Sequence, residues 1–401
     1  MEPPDLTILD CTLRDGEQAP GVFFTRDEKA SIAELLSEAG VDVLDAGMPS
    51  VSRDEMDTLK ALCELGLRSR VAATVRALRH DIDLALECGV SEVFLFMPVS
   101  PEHLRHKFNT DLKGVLPRIE EAIKHGVDRG LRVNFVAEDS VRADPAKLGP
   151  VLDSVSGWGA ASAMICDTVG VMWPESLTRF LRDLALHMSS DITLGIHCHN
   201  DYGLATANTL AAAAAGCRII SGTINGLGER AGNAALEEVI CAIEDLHGRG
   251  LKINRRALKE VCHEVSRASG VFIMPTKPIA GLNVFRHESG VHVDGMLRDS
   301  STYESIKPEP FGLNHEFILG KHSGSGLVEA LLSKAGIDAP PDVVLGIVLR
   351  IKQAKAGRDK TAFLETVGML ERFWAEHLSF SEDQFWEIAT EELAKHRAAV
   401  A

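Results

Sequence analysis

Apolar residues in the first 230 positions fall into short runs separated by longer amphipathic stretches. Eight runs stand out, at residues 6–15, 43–49, 70–75, 92–99, 132–139, 163–169, 192–200 and 218–225. Each is short enough to be a buried strand, and most intervals between them can hold a helix and a return loop. The first interval is the clearest. Thr25 is followed three residues later by Glu28, the pattern of a capping box, and Ile32, Leu35, Leu36 and Ala39 follow at helical spacing. Gly40 then suits the position just past the helix, which asks for a left-handed backbone. Strands alternating with helices predict a parallel sheet with right-handed crossovers. Eight such units favour closure into a (β/α)8 TIM barrel, an α/β fold, over an open doubly wound sheet.

The pattern changes after residue 275. Residues 276–325 are rich in Gly, Pro, His and Asn with little periodicity, and read as an ordered linker subdomain. Residues 326–401 return to helical patterning, with Val343, Val344, Ile347, Val348 and Ile351 on one stripe. The expected organisation is a barrel over 1–275, a linker subdomain over 276–325 and a small helical domain over 326–401.

Composition narrows the class of function. Apolar residues make up 45% of the 401 positions, enough for a sizeable core. No apolar run approaches the roughly 20 residues needed to span a bilayer. The opening residues show neither a basic stretch nor an apolar segment of a signal peptide, so a cytoplasmic protein is expected. A net charge of −16 argues against nucleic-acid or anionic-membrane partners. It leaves small anionic substrates open, because clustered Arg or a metal reverses the field locally. The eight cysteines include no CxxC pair, so neither a disulfide framework nor a zinc finger is expected.

Barrel enzymes place their chemistry at the C-terminal strand ends. The first run ends in Arg14-Asp15-Gly16-Glu17-Gln18. Charges there must be solvated or paired, which fits a site or a rim ion pair. The seventh run ends in His197-Cys198-His199. Alternate strand residues share a face, so His197 and His199 point inward with Thr193 and Gly195, while Leu194, Ile196 and Cys198 face the helices. The eighth run enters a Gly-rich stretch, 225–233, that fits a phosphate cradle or a tight turn. Closure makes strand 8 the neighbour of strands 7 and 1. Asp15, His197 and His199 then converge, offering two nitrogens, one carboxylate and open positions to Mg²⁺, Mn²⁺, Fe²⁺, Co²⁺ or Zn²⁺. Glu138 ends the fifth run and Thr168 the sixth. The first suits an acid/base or orienting carboxylate and the second a carboxylate-binding hydroxyl, unless each only makes rim hydrogen bonds.

These segments resemble the signatures of the isopropylmalate/homocitrate/citramalate synthase family. Residues 13–21 (LRDGEQAPG) are similar to its first motif, 197–208 (HCHNDYGLATAN) to its second and 225–233 to its strand 8 loop. Residues 287–295 (HESGVHVDG) and 320–324 (GKHSG) resemble motifs beyond the barrel. The likeness covers roughly residues 6–330. Through 167–172 and 226–237 it leans toward the nitrogen-fixation-type homocitrate synthases.

The resemblance implies an acyltransferase that joins acetyl-CoA to a 2-oxo acid by a Claisen-type condensation and then hydrolyses the thioester. It implies that Asp15, His197 and His199 bind a divalent metal, Mg²⁺ or Mn²⁺ first, with Asn233 a weaker or indirect ligand. Arg14 stands against the ketone oxygen, Thr168 holds the 2-oxo acid's carboxylate, and Glu138 and His292 serve proton transfers with Tyr303 and Gln18 close by. A homodimer is implied, the segment carrying His292 and Tyr303 reaching into the neighbouring barrel. Lysine-pathway homocitrate synthases read the far carboxylate of 2-oxoglutarate with a His and an Arg, where this chain has Thr74 and Asn134 with Arg76 nearby. The acceptor is therefore open: 2-oxoglutarate first, then oxaloacetate, pyruvate, 2-oxoisovalerate or phosphonopyruvate, with Arg76 and Asn134 as candidate binders of a second anionic group. Hydroxymethylglutaryl-CoA lyases share the barrel and metal but carry a Cys in the strand 8 loop, where this chain has Glu229, Arg230 and Asn233. No leucine-responsive regulatory domain is expected after residue 326.

Overall fold

The computed structural model describes residues 6–376 and 379–400. Eight parallel strands close a barrel in chain order: β1 (Thr7–Asp10), β2 (Val43–Asp45), β3 (Arg70–Arg76), β4 (Glu92–Pro98), β5 (Arg132–Glu138), β6 (Ser162–Asp167), β7 (Thr193–Cys198) and β8 (Ile219–Gly222). β8 pairs back onto β1, Ile219 with Thr7 and Gly222 with Asp10. Helices follow the strands, and the fold is a (β/α)8 TIM barrel. Every expected run holds a strand. Most strands stop short of the run's C-terminal end, because the polar residues there leave the ladder to line the barrel mouth.

The first helix, Arg26–Ala39, forms as its sequence dictates. Thr25 accepts from the Glu28 N–H, Glu28 reaches back to Thr25, and Gly40 ends the helix at φ +96°. Ile32, Ala33, Leu36 and Ala39 are buried, and the helix packs against the helix Arg255–Ser269.

Inside the barrel, register sorts the inward side chains into layers. At the floor, Glu92 takes hydrogen bonds from Arg70 Nε at 2.8 Å and Asn134 Nδ2 at 2.8 Å, with Arg132 Nε 3.4 Å away. Ser162 Oγ donates to Asn134 Oδ1 at 2.6 Å. Above it sits an apolar layer of Leu9, Cys11, Val43, Ala72, Phe94, Met164, Cys166 and Ile219, with Val136 against it. Gly195 is needed in that layer: a Cβ there would stand 2.2 Å from Met164 Sδ and 2.9 Å from Ile219 Cβ.

The chain divides into two compact units. The first holds the barrel, with Phe23–Arg286, Ser305–Glu316 and the chain up to Ala19. The second takes Pro20–Val22, His287–Glu304 and the chain from Phe317 onward. In the second unit, the helices Ser325–Lys334 and Pro341–Ala356 share a core of Val328, Val344 and Val348 with Leu332, Ala339, Ile347 and Ile351. Val343, expected on the same stripe, is exposed. No described helix is long and apolar enough to cross a membrane.

Candidate active site

The site begins with a turn. Beyond β1 the N–H groups of Arg14, Asp15 and Gly16 all point at the Cys11 carbonyl, 2.8–3.2 Å away. That tight turn brings Arg14 and Asp15 to the barrel mouth. Asp15 Oδ2 lies 3.3 Å from His197 Nε2 on β7 and 3.3 Å from Arg14 Nη1. His199 follows two residues along, its ring centroid 5.1 Å from that of His197. One ligand atom from each of Asp15, His197 and His199 falls within 4.8 Å of the others, and all three residues are buried.

The donor set fits a divalent cation. Asp15 Oδ1, His199 Nδ1 and Asn233 Oδ1 are buried and lack a hydrogen-bond partner among the described residues. Buried acceptors left unpaired are costly unless a cation or donor meets them. Asn233 is tied to the cluster by a β-bridge to His199, and its Nδ2 donates to the Leu227 carbonyl at 3.2 Å. A Cβ on Gly228 would stand 2.2 Å from Asn233 Nδ2 and 3.1 Å from Asp15 Oδ1, so only glycine lets these groups meet. His197 Nδ1 is 2.9 Å from Ser221 Oγ on β8, which leaves Nε2 facing Asp15.

Charges within the site hold one another in place. Burial pushes the Asp15 carboxyl up, but Arg14 and the two imidazoles outweigh it and keep it well below the usual carboxylate range. Burial and the neighbouring His197 push His199 down to about 4, so it is a neutral nitrogen donor at physiological pH. Burial also weakens the Arg14 cation, yet Asp45 and Asp15 more than restore it. Arg14 Nε donates to Asp45 Oδ2 at 2.8 Å, and Thr74 Oγ1 donates to the same oxygen at 2.9 Å.

A cavity of about 380 Å³ opens at this mouth, its lining drawn from the first unit. Gln18, Glu138 and Thr168 share it with Asp15, His197 and His199. Glu138 Oε1 accepts from Lys107 Nζ at 2.6 Å and lies 3.1 Å from His103 Nδ1, while Oε2 is buried without a partner among the described residues. Thr168 Oγ1 accepts the Asp139 N–H at 2.8 Å, which leaves its own hydrogen to donate. Arg230, at φ +55°, binds Asp201 through Nε and Nη2 and the Thr168 carbonyl through Nη2, at 2.8–2.9 Å. It ties together the loops after β6, β7 and β8.

Two expected residues lie away from the cavity, and two belong to the second unit. Arg76 donates from Nε and Nη2 to Asp81 at 2.7 and 2.9 Å and does not line the cavity. Asn134 spends its amide on the floor network beneath the cavity. His292 and Tyr303 belong to the second unit, their rings stacked 4.1 Å apart. Sequence reading passed over Asp45, Ser221, His103 and Lys107. Asp45 did carry a signal, an acid set within an apolar run. Lys107 sits on the helix Pro101–Phe108, not at a strand end, and gave none.

Comparison with known proteins supplies the remaining observations. The HMGL-like family model matches residues 5–265, and the homocitrate synthase post-HMGL domain-like model matches 279–359. The homocitrate synthase AksA of Methanopyrus kandleri is 42% identical over 350 residues, covering 87% of this chain and 88% of its own. A probable 2-isopropylmalate synthase of Ignicoccus hospitalis is 42% identical, covering 88% of each. The (R)-citramalate synthase CimA of Methanocaldococcus jannaschii is 41% identical over 86% of this chain and 70% of its own. Among solved structures, hydroxymethylglutaryl-CoA lyase from Pseudomonas aeruginosa superposes with a TM-score of 0.61 over 69% of this chain and 97% of that one; at 22% identity this is a likeness of fold.

Proposed function

This chain belongs to the HMGL-like family, and from that premise we propose that it is an acyltransferase condensing acetyl-CoA with a 2-oxo acid and then hydrolysing the thioester. The observation that carries the reading is the buried Asp15, His197 and His199 cluster beside Arg14, sharing one cavity with Glu138 and Thr168.

Asp15, His197 and His199, with Asn233 beside them, would hold a divalent ion, Mg²⁺ or Mn²⁺ first among candidates, which supplies Lewis acidity toward a ketone and its carboxylate. Thr168 donates its hydroxyl hydrogen to that carboxylate. Glu138 takes a methyl proton from acetyl-CoA through its unpartnered Oε2, while Lys107 holds Oε1. Removing that proton gives the enolate that attacks the ketone carbon. Arg14, held cationic by Asp45 and Asp15, stabilises the negative charge that develops on the ketone oxygen. Gln18 lines the same wall and orients the acid. His292 and Tyr303 of the partner subunit complete proton transfer in a homodimer, a role carried by family likeness. We further propose a cytoplasmic enzyme whose acceptor is one of 2-oxoglutarate, oxaloacetate, pyruvate, 2-oxoisovalerate and phosphonopyruvate.

The test is CoA-thiol release from acetyl-CoA with Mg²⁺ or Mn²⁺ across these five acids. Release that requires both an acid and the metal is the expected result. Silence with every acid, in a protein shown to bind the metal, overturns the reading.

A further inference from the structure

Taking the condensing reaction as its basis, we infer that the acceptor is a 2-oxo acid with an uncharged, apolar side chain, not a dicarboxylate or phosphonate. In an eight-stranded closed barrel β3, β4 and β5 stand opposite β7, β8 and β1. An acid held by its carboxylate and ketone beside Asp15, His197 and His199 therefore turns its side chain toward β3–β5. The inward residues there that line the cavity are Thr74, Phe94, Phe96, Val136 and, at the rim, Glu138, a carboxylate that repels a second anion, with Met164 of β6 adjoining them. Thr74 has its hydroxyl hydrogen committed to Asp45. What remains of the wall is phenyl, isopropyl and thioether surface.

The cations near that wall already have partners. Arg14 is held by Asp45 and Asp15, Lys107 by Glu138, and Arg230 by Asp201. Arg76 is bound to Asp81 outside the lining, and Arg70 and Arg132 face Glu92 beneath the floor. The lining holds three cations, Arg14, Lys107 and Arg230, against four carboxylates, Asp15, Asp45, Glu138 and Glu229, with Asp201 a further one on Arg230. A second anionic group would be stripped of water against Phe94, Phe96 and Val136, with Arg14 and Lys107 already held by carboxylates. An alkyl group there exchanges water for apolar contact.

The test is kcat/KM for thiol release by the full-length protein with Mg²⁺ or Mn²⁺. Pyruvate, 2-oxobutyrate and 2-oxoisovalerate are compared with oxaloacetate, 2-oxoglutarate and phosphonopyruvate. The best uncharged acid is expected to exceed every charged one by roughly 100-fold or more. A charged acid equal to or better than the uncharged set overturns this inference and leaves the condensing reaction standing. Silence with all six removes the reaction and the inference together. Phe96→Ala locates the preference: KM for the uncharged acid should rise about tenfold or more with KM for acetyl-CoA unmoved. An unchanged acid KM means the β4 wall does not hold the side chain and also overturns the inference. Should that variant fail to fold, Val136→Ser is read in the same way.

Discussion

Ser221 supplies neither a charge nor a ligand atom, yet its hydroxyl sits 2.9 Å from His197 Nδ1. Whichever ring nitrogen is held by such a partner, the other is the one presented to a metal. Ser221→Ala is expected to weaken Mn²⁺ affinity roughly 10–100-fold, read by calorimetry, with the metal-free melting temperature nearly unchanged. Asp10 gives a residue-scale prediction about pH. It is buried in β1, where its carboxylate accepts the Thr12 N–H and hydroxyl, and the Thr12 oxygen in turn accepts the Ile224 N–H. Burial outweighs those bonds and lifts its pKa from 3.8 to about 7. Between pH 4 and 7 the folded protein therefore keeps a proton that the unfolded chain has lost. Stability should fall as pH rises through that window and level off above it, by a few kcal/mol in order of magnitude. Asp10→Asn keeps an acceptor for the Thr12 N–H and should flatten that part of the profile, measured as urea midpoints at pH 4.5 and 7.5. At this scale the sequence was readable where strand alternation alone decides direction, as for His197 and His199. It misled where a partner lies on another strand: Asn134 meets Glu92 and Ser162 only once β4, β5 and β6 are in register.

Elements are placed by a few tight constraints. Gly195 leaves the room that Met164 fills, so Gly195→Ala should destabilise the protein by about 1–3 kcal/mol through overpacking, seen as a lower urea midpoint with an unchanged slope. Lys29 joins three elements. Its Nζ lies 2.7 Å from Glu17 Oε2 and 2.9 Å from Glu55 Oε2, while Glu17 accepts the Phe24 N–H and Glu55 the Met48 N–H. The helix Arg26–Ala39 is thereby tied to the loops after β1 and β2 that carry Arg14, Asp15 and Met48. Lys29→Met leaves the carboxylates facing each other without their cation. It should cost about 2–4 kcal/mol by thermal or urea unfolding, below the full buried-pair value because Glu17 is partly exposed. Helix Arg26–Ala39 was fully legible, since capping and period both lie within one segment. Strand ends were not, because an apolar run continues past the point where the ladder stops, as at β2.

For the molecule as a whole, closure was legible from the count of strand-like runs, and closure is what brings Asp15 to His197. The return of Ser305–Glu316 to the barrel unit was not. That segment is anchored by Phe311, 5.6 Å from the ring of Phe285 and beneath the Arg255 guanidinium, and by His315, 6.2 Å from the same ring, and two isolated anchors leave no period to read. The buried, unpartnered acceptors at the barrel mouth make a prediction at this scale. A cation that binds only the folded protein adds stability, about 2.7 kcal/mol at one hundred times its Kd. The melting temperature should therefore be higher with saturating Mn²⁺ than with EDTA, and Asp15→Asn should erase most of the difference. The floor has a different consequence. Glu92, Arg70, Arg132, Asn134 and Ser162 plug the N-terminal end of the barrel, so the chamber above them is a cul-de-sac. Whatever goes in deepest must enter first and leave last. If the bulkier thioester occupies the doorway, it cannot precede the small acid, and free coenzyme must depart before the new hydroxy acid can follow.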